Sequence, residues 1–197
     1  MASSTVGFWI RTEDVIYQFT MFVYDNSVLE IFMTLANGAR LVVAQEMLIS
    51  KKLSALRYWI VGAEKLPQNL LNRAIDEGIN VIQNYGPTET TAYALTKHMK
   101  NRDRGENIGR PIQNTTISVN EEGQLLIKGR GVMRGYLKKH SHYLLGKDEW
   151  YSTGDRAQLL PNGDVLFVGR ADSQVKIHGH RVELSEIETA ITSPSWR

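Results

Sequence analysis

Tyr85, Thr88, Glu89 and Thr90 crowd into the stretch Asn84-Tyr85-Gly86-Pro87-Thr88-Glu89-Thr90-Thr91. A phenol ring can stack on a flat heterocycle, hydroxyls can donate to phosphate oxygens, and a carboxylate suits a hard cation. The same stretch also reads as an ordinary surface turn with a solvated glutamate, and these residues alone leave both readings open. Asp25 is a second carboxylate of interest, placed at a strand-to-helix junction. There it is either a helix cap or a group that faces a ligand.

Hydrophobic periodicity says which elements must position these groups. Ile79 to Gln83 alternates apolar and polar residues, as a strand does, and Gly86-Pro87 forces a turn directly after it. The turn therefore sits at a strand's C-terminal edge, where ligands bind in open α/β sheets. Upstream, Val15 to Phe19 reads as a strand and Ser27 to Leu35 as a helix, with Val28, Ile31, Phe32 and Leu35 at helical spacing and Asn37-Gly38 as its stop. Ala39 to Val43 and Leu56 to Val61 are further strands, and Pro67 to Glu77 is a helix closed by Gly78. That alternation predicts an α/β layer with mostly parallel pairing. Beyond Arg110-Pro111 the texture changes to short alternating runs at Thr115–Val119, Gln124–Lys128, Ala157–Leu160 and Asp164–Val168. With turn signals at Glu122-Gly123 and Asn162-Gly163, they predict a small antiparallel region, a barrel or a sandwich. Last come a hairpin about Gly179 and a capping box, Ser185-Glu186-Ile187-Glu188, that opens a helix.

Composition narrows the partners. The chain has 197 residues, 42% hydrophobic and 22% charged, which are ordinary values for a globular chain large enough to bury a core. A formal net charge of +2, with Lys51-Lys52 and Lys138-Lys139 as isolated pairs, gives no reason to expect nucleic acid or acidic membranes. The absence of cysteine excludes disulfides, cysteine zinc sites and thiol catalysis. No stretch has the apolar length of a membrane span, and no secretory signal is visible. The expectation is a cytoplasmic protein with neither nucleic-acid nor membrane partners.

Separated motifs then line up in one order. Asn84-Tyr85-Gly86-Pro87-Thr88-Glu89 is followed by Gly123-Gln124-Leu125-Leu126-Ile127-Lys128-Gly129 through Arg134-Gly135-Tyr136-Leu137. Next come Tyr151-Ser152-Thr153-Gly154-Asp155 and Gly169-Arg170-Ala171-Asp172-Ser173-Gln174-Val175-Lys176-Ile177, with Gly179, Arg181, Glu183 and Glu186. Upstream of all of them lies Tyr24-Asp25-Asn26-Ser27-Val28-Leu29-Glu30-Ile31-Phe32. This ordered set resembles the adenylation domain of non-ribosomal peptide synthetases, within the AMP-forming acyl-CoA synthetase and luciferase superfamily. Gln124 stands where the family usually has Glu.

The resemblance implies an α/β fold class: a partial α/β adenylation core layer at 1–112, a small antiparallel β-barrel-like subdomain at 113–170, and a hinge with the start of a small α+β C-terminal subdomain at 171–197. It implies ATP, AMP and Mg2+ as cofactors. Asn84, Tyr85, Gly86, Thr88, Asp155 and Arg170 would bind nucleotide: Tyr85 stacks on adenine, Thr88 contacts the α-phosphate, Asp155 accepts the ribose hydroxyls and Arg170 adds a cationic contact. Glu89 would hold the magnesium, with Thr88 and Glu89 acting in catalysis. Asp25 would pair with a substrate α-ammonium, a contact that an acyl-chain activator does not need. Asn26, Leu29, Trp59, Val61, Asn84, Ala92 and Tyr93 would line the amino-acid pocket, and Asp172 would sit at the hinge. The implied partners are an amino acid and the phosphopantetheine arm of a carrier domain.

The sequence also departs from the family. The phosphate loop rich in Ser, Thr and Gly is absent, and the stretch from Val43 to Leu56 is roughly thirty residues short, with only Met47-Leu48-Ile49-Ser50 to stand for an ordinary element. The family's C-terminal catalytic lysine lies beyond the last residues here, and Lys176 belongs to the hinge motif instead. The expectation is a fragment that is inactive as an isolated chain. The competing readings are a fragment of an acyl-CoA or aryl-acid ligase and a non-catalytic nucleotide-binding or structural remnant.

Overall fold

The computed structural model describes residues 10–18, 20–43, 56–101, 103–136, 149–172, 174–177 and 180–192. Met47-Leu48-Ile49-Ser50, Leu137, Ser173 and Gly179 lie outside the described residues, as do the side chains of Lys176, Arg181 and Glu186.

Two βαβ units open the chain. Strand β1 (Val15–Gln18) pairs in parallel with β2 (Arg40–Val43), and helix α1 (Asp25–Ala36) connects them. Strand β3 (Tyr58–Val61) pairs in parallel with β4 (Asn80–Tyr85) through helix α2 (Gln68–Asp76). A helical crossover is what parallel neighbours require. Leu71 and Ala74 of α2 close with Leu66, Ile79, Val81 and Met99 into one buried cluster, on which Trp59 and Val61 of β3 pack.

Helix α1 meets its sheet differently from what apolar spacing suggests. Its buried residues are Ser27 and Thr34, while Val28, Phe32 and Leu35 are 52%, 65% and 62% exposed. The small hydroxyl side chains let α1 pack closely on β1 and β2, and they satisfy themselves locally. Ser27 Oγ donates to the Tyr24 carbonyl at 2.7 Å, and Thr34 Oγ1 to the Glu30 carbonyl at 2.5 Å. The helical period was legible; its orientation was not.

After β4 the pairing changes sense. Residues 86–94 turn the chain back sharply, so β5 (Leu95–His98) runs antiparallel to β4, and β6 (Asn107–Pro111) antiparallel to β5. Parallel pairing therefore holds for β1–β2 and β3–β4 but stops at β4, because a short reversal cannot supply a crossover. Strands β7 (Thr115–Val119), β8 (Gln124–Gly129), β9 (Tyr151–Leu159) and β10 (Val165–Arg170) extend the same sheet in the order β3-β4-β5-β6-β10-β9-β8-β7. Among the described residues this order is open, so the expected barrel lacks a closing ladder. The strands still enclose a core. Leu95, Ile108, Leu125, Ile127 and Val165 form one buried cluster. The principal helix contacts are α1 with β1 and β2, and α2 with β4. Among the described residues, the strands themselves and the turn before β5 supply the side chains of that cluster. Strands on either side of residue 112, the expected boundary between units, belong to one sheet, with β6 paired to β10.

One buried carboxylate ties the strands together. Asp164, 4% exposed at the start of β10, accepts from Lys97 Nζ at 2.7 Å, Asn107 Nδ2 at 3.1 Å and Arg110 Nε at 2.9 Å. These donors come from β5 and β6, so a single side chain pins three strands. Strands β11 (Val175–Ile177) and β12 (His180–Val182) then form the expected hairpin, followed by helix α3 (Leu184–Thr192). That helix already includes Ser185, so Ser185 is not its cap.

Candidate nucleotide-binding site

Strand β4 ends at Tyr85, and a single 3₁₀ turn, Thr88–Thr90, follows Gly86-Pro87. Gly86 is required by the return of the chain. A Cβ there would lie 2.3 Å from Tyr93 Cα and 2.8 Å from the Ala94 nitrogen. Gly86→Ala is expected to cost about 1–3 kcal/mol through forced backbone displacement, read as a lower urea midpoint; an unchanged midpoint would show that the turn yields freely.

The Tyr85 hydroxyl donates to Asp155 Oδ2 at 2.5 Å across 70 positions of sequence. Asp155, 7% exposed, lies inside β9, where alternation had placed a strand only from Ala157. Its other oxygen accepts from Arg170 at 2.9 Å, and Arg170 also donates to the Thr153 carbonyl at 3.0 Å. Arg170 then grips Asp172 with two further bonds, to Oδ1 at 2.9 Å and Oδ2 at 2.5 Å. Gly154 makes room for that pair: its φ is +73°, and a Cβ would stand 2.7 Å from the Arg170 guanidinium. Thr153 completes the frame, donating to the Leu125 carbonyl at 2.8 Å and accepting from the Asp155 amide at 3.0 Å.

The electrostatics follow from burial and pairing. Burial, then the neighbouring Asp155 charge, pushes the Tyr85 phenol well above its ordinary value, so it stays a protonated donor. Burial alone would lower the Arg170 pKa, but Asp172 and Asp155 outweigh it and raise it. The Arg170 bonds hold Asp172 below the usual carboxylate range. The network is a pre-ordered acceptor site, flanked by a ring and a cation.

The turn itself sorts its hydroxyls. Thr88 is exposed, whereas Thr90 is 3% exposed and donates to the Pro87 carbonyl at 2.9 Å. Thr90 is therefore internal to the turn, which leaves Thr88 as the phosphate-facing candidate. Glu89 is buried and accepts from the Tyr136 hydroxyl at 2.7 Å.

Asp25 proves to be something other than a cap. The cap position of α1 is Tyr24, without a side-chain cap bond, and Asp25 is the first helical residue. Its Oδ2 accepts from the Ala92 amide at 3.0 Å, 67 positions away. Thr91 and Ala92 both have left-handed backbones, at φ 63° and 64°, a conformation that non-glycine residues rarely hold without support. The Asp25 carboxylate is part of that support.

The other expected pocket residues are only partly brought together. Asn26 and Leu29 are half-buried beside Asp25 on α1. Tyr93 is buried, which pushes its phenol up to about 12. The Asn84 amide oxygen accepts the Thr96 hydroxyl at 2.7 Å. Trp59 and Val61 are partly buried and pack on the α2 cluster. An open depression of 420 Å³ lined by Gln68, Asn72, Asp76 and Asn101 shares no residue with the site. Sequence reading gave no role to Thr153 or Tyr136, although both stand inside the quoted motifs.

A family model described as AMP-binding enzyme matches residues 46–137. Gramicidin S synthase 1 of Brevibacillus brevis is 32% identical over 231 aligned residues, covering 92% of this chain and 21% of that protein. The chain thus spans about a fifth of that relative's length. The alignment is longer than the 197 residues of the chain, so the relative carries residues that the chain lacks. The Vibrio cholerae adenylation domain AlmE, solved with glycyl-adenosine-5'-phosphate, superposes with a TM-score of 0.82 at 26% identity, over 92% of this chain and 45% of that one. PA1221, an NRPS protein containing adenylation and PCP domains, superposes with a TM-score of 0.80 at 21% identity, over 95% and 42%.

Proposed function

We propose, from the premise that this chain belongs to the AMP-binding enzyme family, that it is a segment of an amino-acid-activating adenylation domain that grips adenosine and substrate ammonium. The observation that carries the reading is the convergence of Tyr85 and Arg170 on the buried Asp155 carboxylate from separate positions in the chain.

In the reaction proposed for the whole domain, a carboxylate oxygen of the amino acid attacks the α-phosphorus of ATP. A new P–O bond forms, the bond to the pyrophosphate oxygen breaks, and pyrophosphate leaves. Asp155 receives the ribose hydroxyls, since an ionised carboxylate has about four acceptor positions and is already oriented by Tyr85 and Arg170. The Tyr85 ring, anchored through its hydroxyl, offers its face to adenine. Thr88 donates to the α-phosphate. Asp25, fixed by the Ala92 amide, meets the ammonium, while Asn26, Leu29, Asn84, Ala92 and Tyr93 border the amino-acid side chain. The thiol of a carrier domain's phosphopantetheine arm then attacks the aminoacyl carbonyl carbon. A thioester C–S bond forms, the acyl bond to the AMP phosphate oxygen breaks, and AMP leaves with the thiol proton released to solvent. The carrier partner accords with the adenylation-plus-PCP architecture of PA1221.

Among the described residues no group of three or more His, Cys, Asp or Glu could hold a metal. A lone Glu89 still fits magnesium, which commonly binds through one or two carboxylates together with substrate phosphates. When bound, the ion would neutralise charge on the phosphates.

The test is a calorimetric titration with two non-hydrolysable adenylate analogues, one aminoacyl and one lacking the ammonium. The aminoacyl analogue is expected to bind at least about tenfold tighter, since close charge pairs commonly couple by about 1.5–7 kcal/mol. Asp25→Ala should erase the difference. Equal affinities in the wild-type chain would assign it to acyl activation instead.

A further inference from the structure

Glu89 is 8% exposed, and a carboxylate that deeply placed needs donors. One comes from Tyr136, 47 positions on, whose hydroxyl lies 2.7 Å from Glu89 Oε1. This bond joins side chain to side chain, beside two bonds that end on backbone carbonyls. The Met133 amide donates to the Glu89 carbonyl at 2.7 Å, and Thr91 Oγ1 donates to the Gly131 carbonyl at 2.7 Å. The segment after β8 is thus laid along the 3₁₀ turn, with Tyr136 over the carboxylate. The two backbone-directed bonds dock the segment. The tyrosine bond reaches the group that would touch a cation.

We infer that Tyr136 is a positioning residue for Glu89, fixing the plane of its carboxylate for a nucleotide-bound divalent cation. The inference rests on the reading of Glu89 as the cation ligand. The last torsion of a glutamate is broad and gives the carboxylate no preferred plane of its own. A hydroxyl donating to one oxygen removes that freedom and sets the direction in which the carboxylate presents its lone pairs. Outer-shell donors of this kind typically change metal affinity by about 10–100-fold when removed. The Tyr136 ring is 42% exposed, so the phenylalanine variant gives up the hydroxyl without opening a core.

The experiment uses the 197-residue chain with ATP and Mn2+, a paramagnetic ion that prefers the same oxygen ligands. Electron paramagnetic resonance reads the free ion. Hydrogen exchange at the Met133 amide reports whether the segment stays docked. Glu89→Gln is expected to weaken Mn2+ retention by the ATP complex, and Tyr136→Phe to weaken it about tenfold with Met133 exchange unchanged. Retention equal to wild type in Tyr136→Phe, with Glu89→Gln impaired, overturns the role of Tyr136 alone. Glu89→Gln equal to wild type overturns the cation reading, and this inference with it. Weakened retention together with accelerated Met133 exchange shows that the hydroxyl only docks the segment, which also overturns it.

Discussion

Asp155→Ala is expected to abolish AMP binding by the chain, a loss on the order of a hundredfold or more. Two hydrogen bonds from ribose hydroxyls to an ionised acceptor are each worth about 1.5–3 kcal/mol, and their joint removal takes weak binding below detection. The variant also removes the Asp155 acceptor of the Tyr85 hydroxyl, while Arg170 keeps Asp172 as its partner. Lost stability therefore contributes to the effect of this variant. Asp155→Asn separates the two contributions, because it preserves shape and one acceptor oxygen and should weaken AMP binding with a smaller change in urea midpoint. Calorimetry giving equal AMP affinity for wild type and Asp155→Ala would remove Asp155 from the site.

Asp164→Ala is expected to destabilise the fold by about 3–5 kcal/mol, the usual cost of breaking a buried pair. The reason is what remains. Lys97 is 15% exposed at its side chain and would keep its charge with only the weaker Asp103 contact at 3.5 Å. Arg110 is 61% exposed and contributes little once it is free to meet water. Lys97→Met combined with Asp164→Leu should recover much of the loss, because replacing both partners removes the stranded charge. A loss below about 1 kcal/mol for Asp164→Ala in urea denaturation would mean that the site relaxes and admits water.

The same residue sets an acid limit. Burial raises the Asp164 pKa, but hydrogen bonds from Lys97, Asn107 and Arg110 overcome it and hold it well below the ordinary carboxylate value. A depressed folded-state value means that the contribution to stability is complete above the unfolded carboxylate's pKa of about 3.9. It drains away as pH falls from there toward the folded-state value. Wild type should thus lose stability below about pH 4 more steeply than Asp164→Asn.

Asp155 and Asp164 contrast in what could be read in advance. Asp155 was identified because Thr153-Gly154-Asp155 is a local string that keeps its meaning wherever it is met. Asp164 is only an aspartate after Asn162-Gly163, and nothing near it in sequence announces Lys97 or Arg110. Strands β5 and β6 escaped for a related reason. The run Leu95-Thr96-Lys97-His98 lacks clean alternation, since Lys97 is drawn inward to Asp164 and breaks the pattern that a half-buried strand would show.

By itself the sequence determined the βαβ rhythm, the hairpin turns at Glu122-Gly123 and Asn162-Gly163, the ordered motifs and the family to which they belong. These are properties of short windows, where period and turn chemistry act within a few residues. Only the tertiary structure decided that Tyr85 meets Asp155, that Asp25 is tied to Ala92 instead of capping its helix, and that Thr90 is spent inside its turn. It also decided that Val28, Phe32 and Leu35 turn outward while Ser27 and Thr34 meet the sheet. Helical spacing specifies that residues share a face, but which face meets the sheet depends on the close approach that small side chains allow. Long-range partners depend on strand order, here β6 beside β10 instead of β7, which no short window encodes.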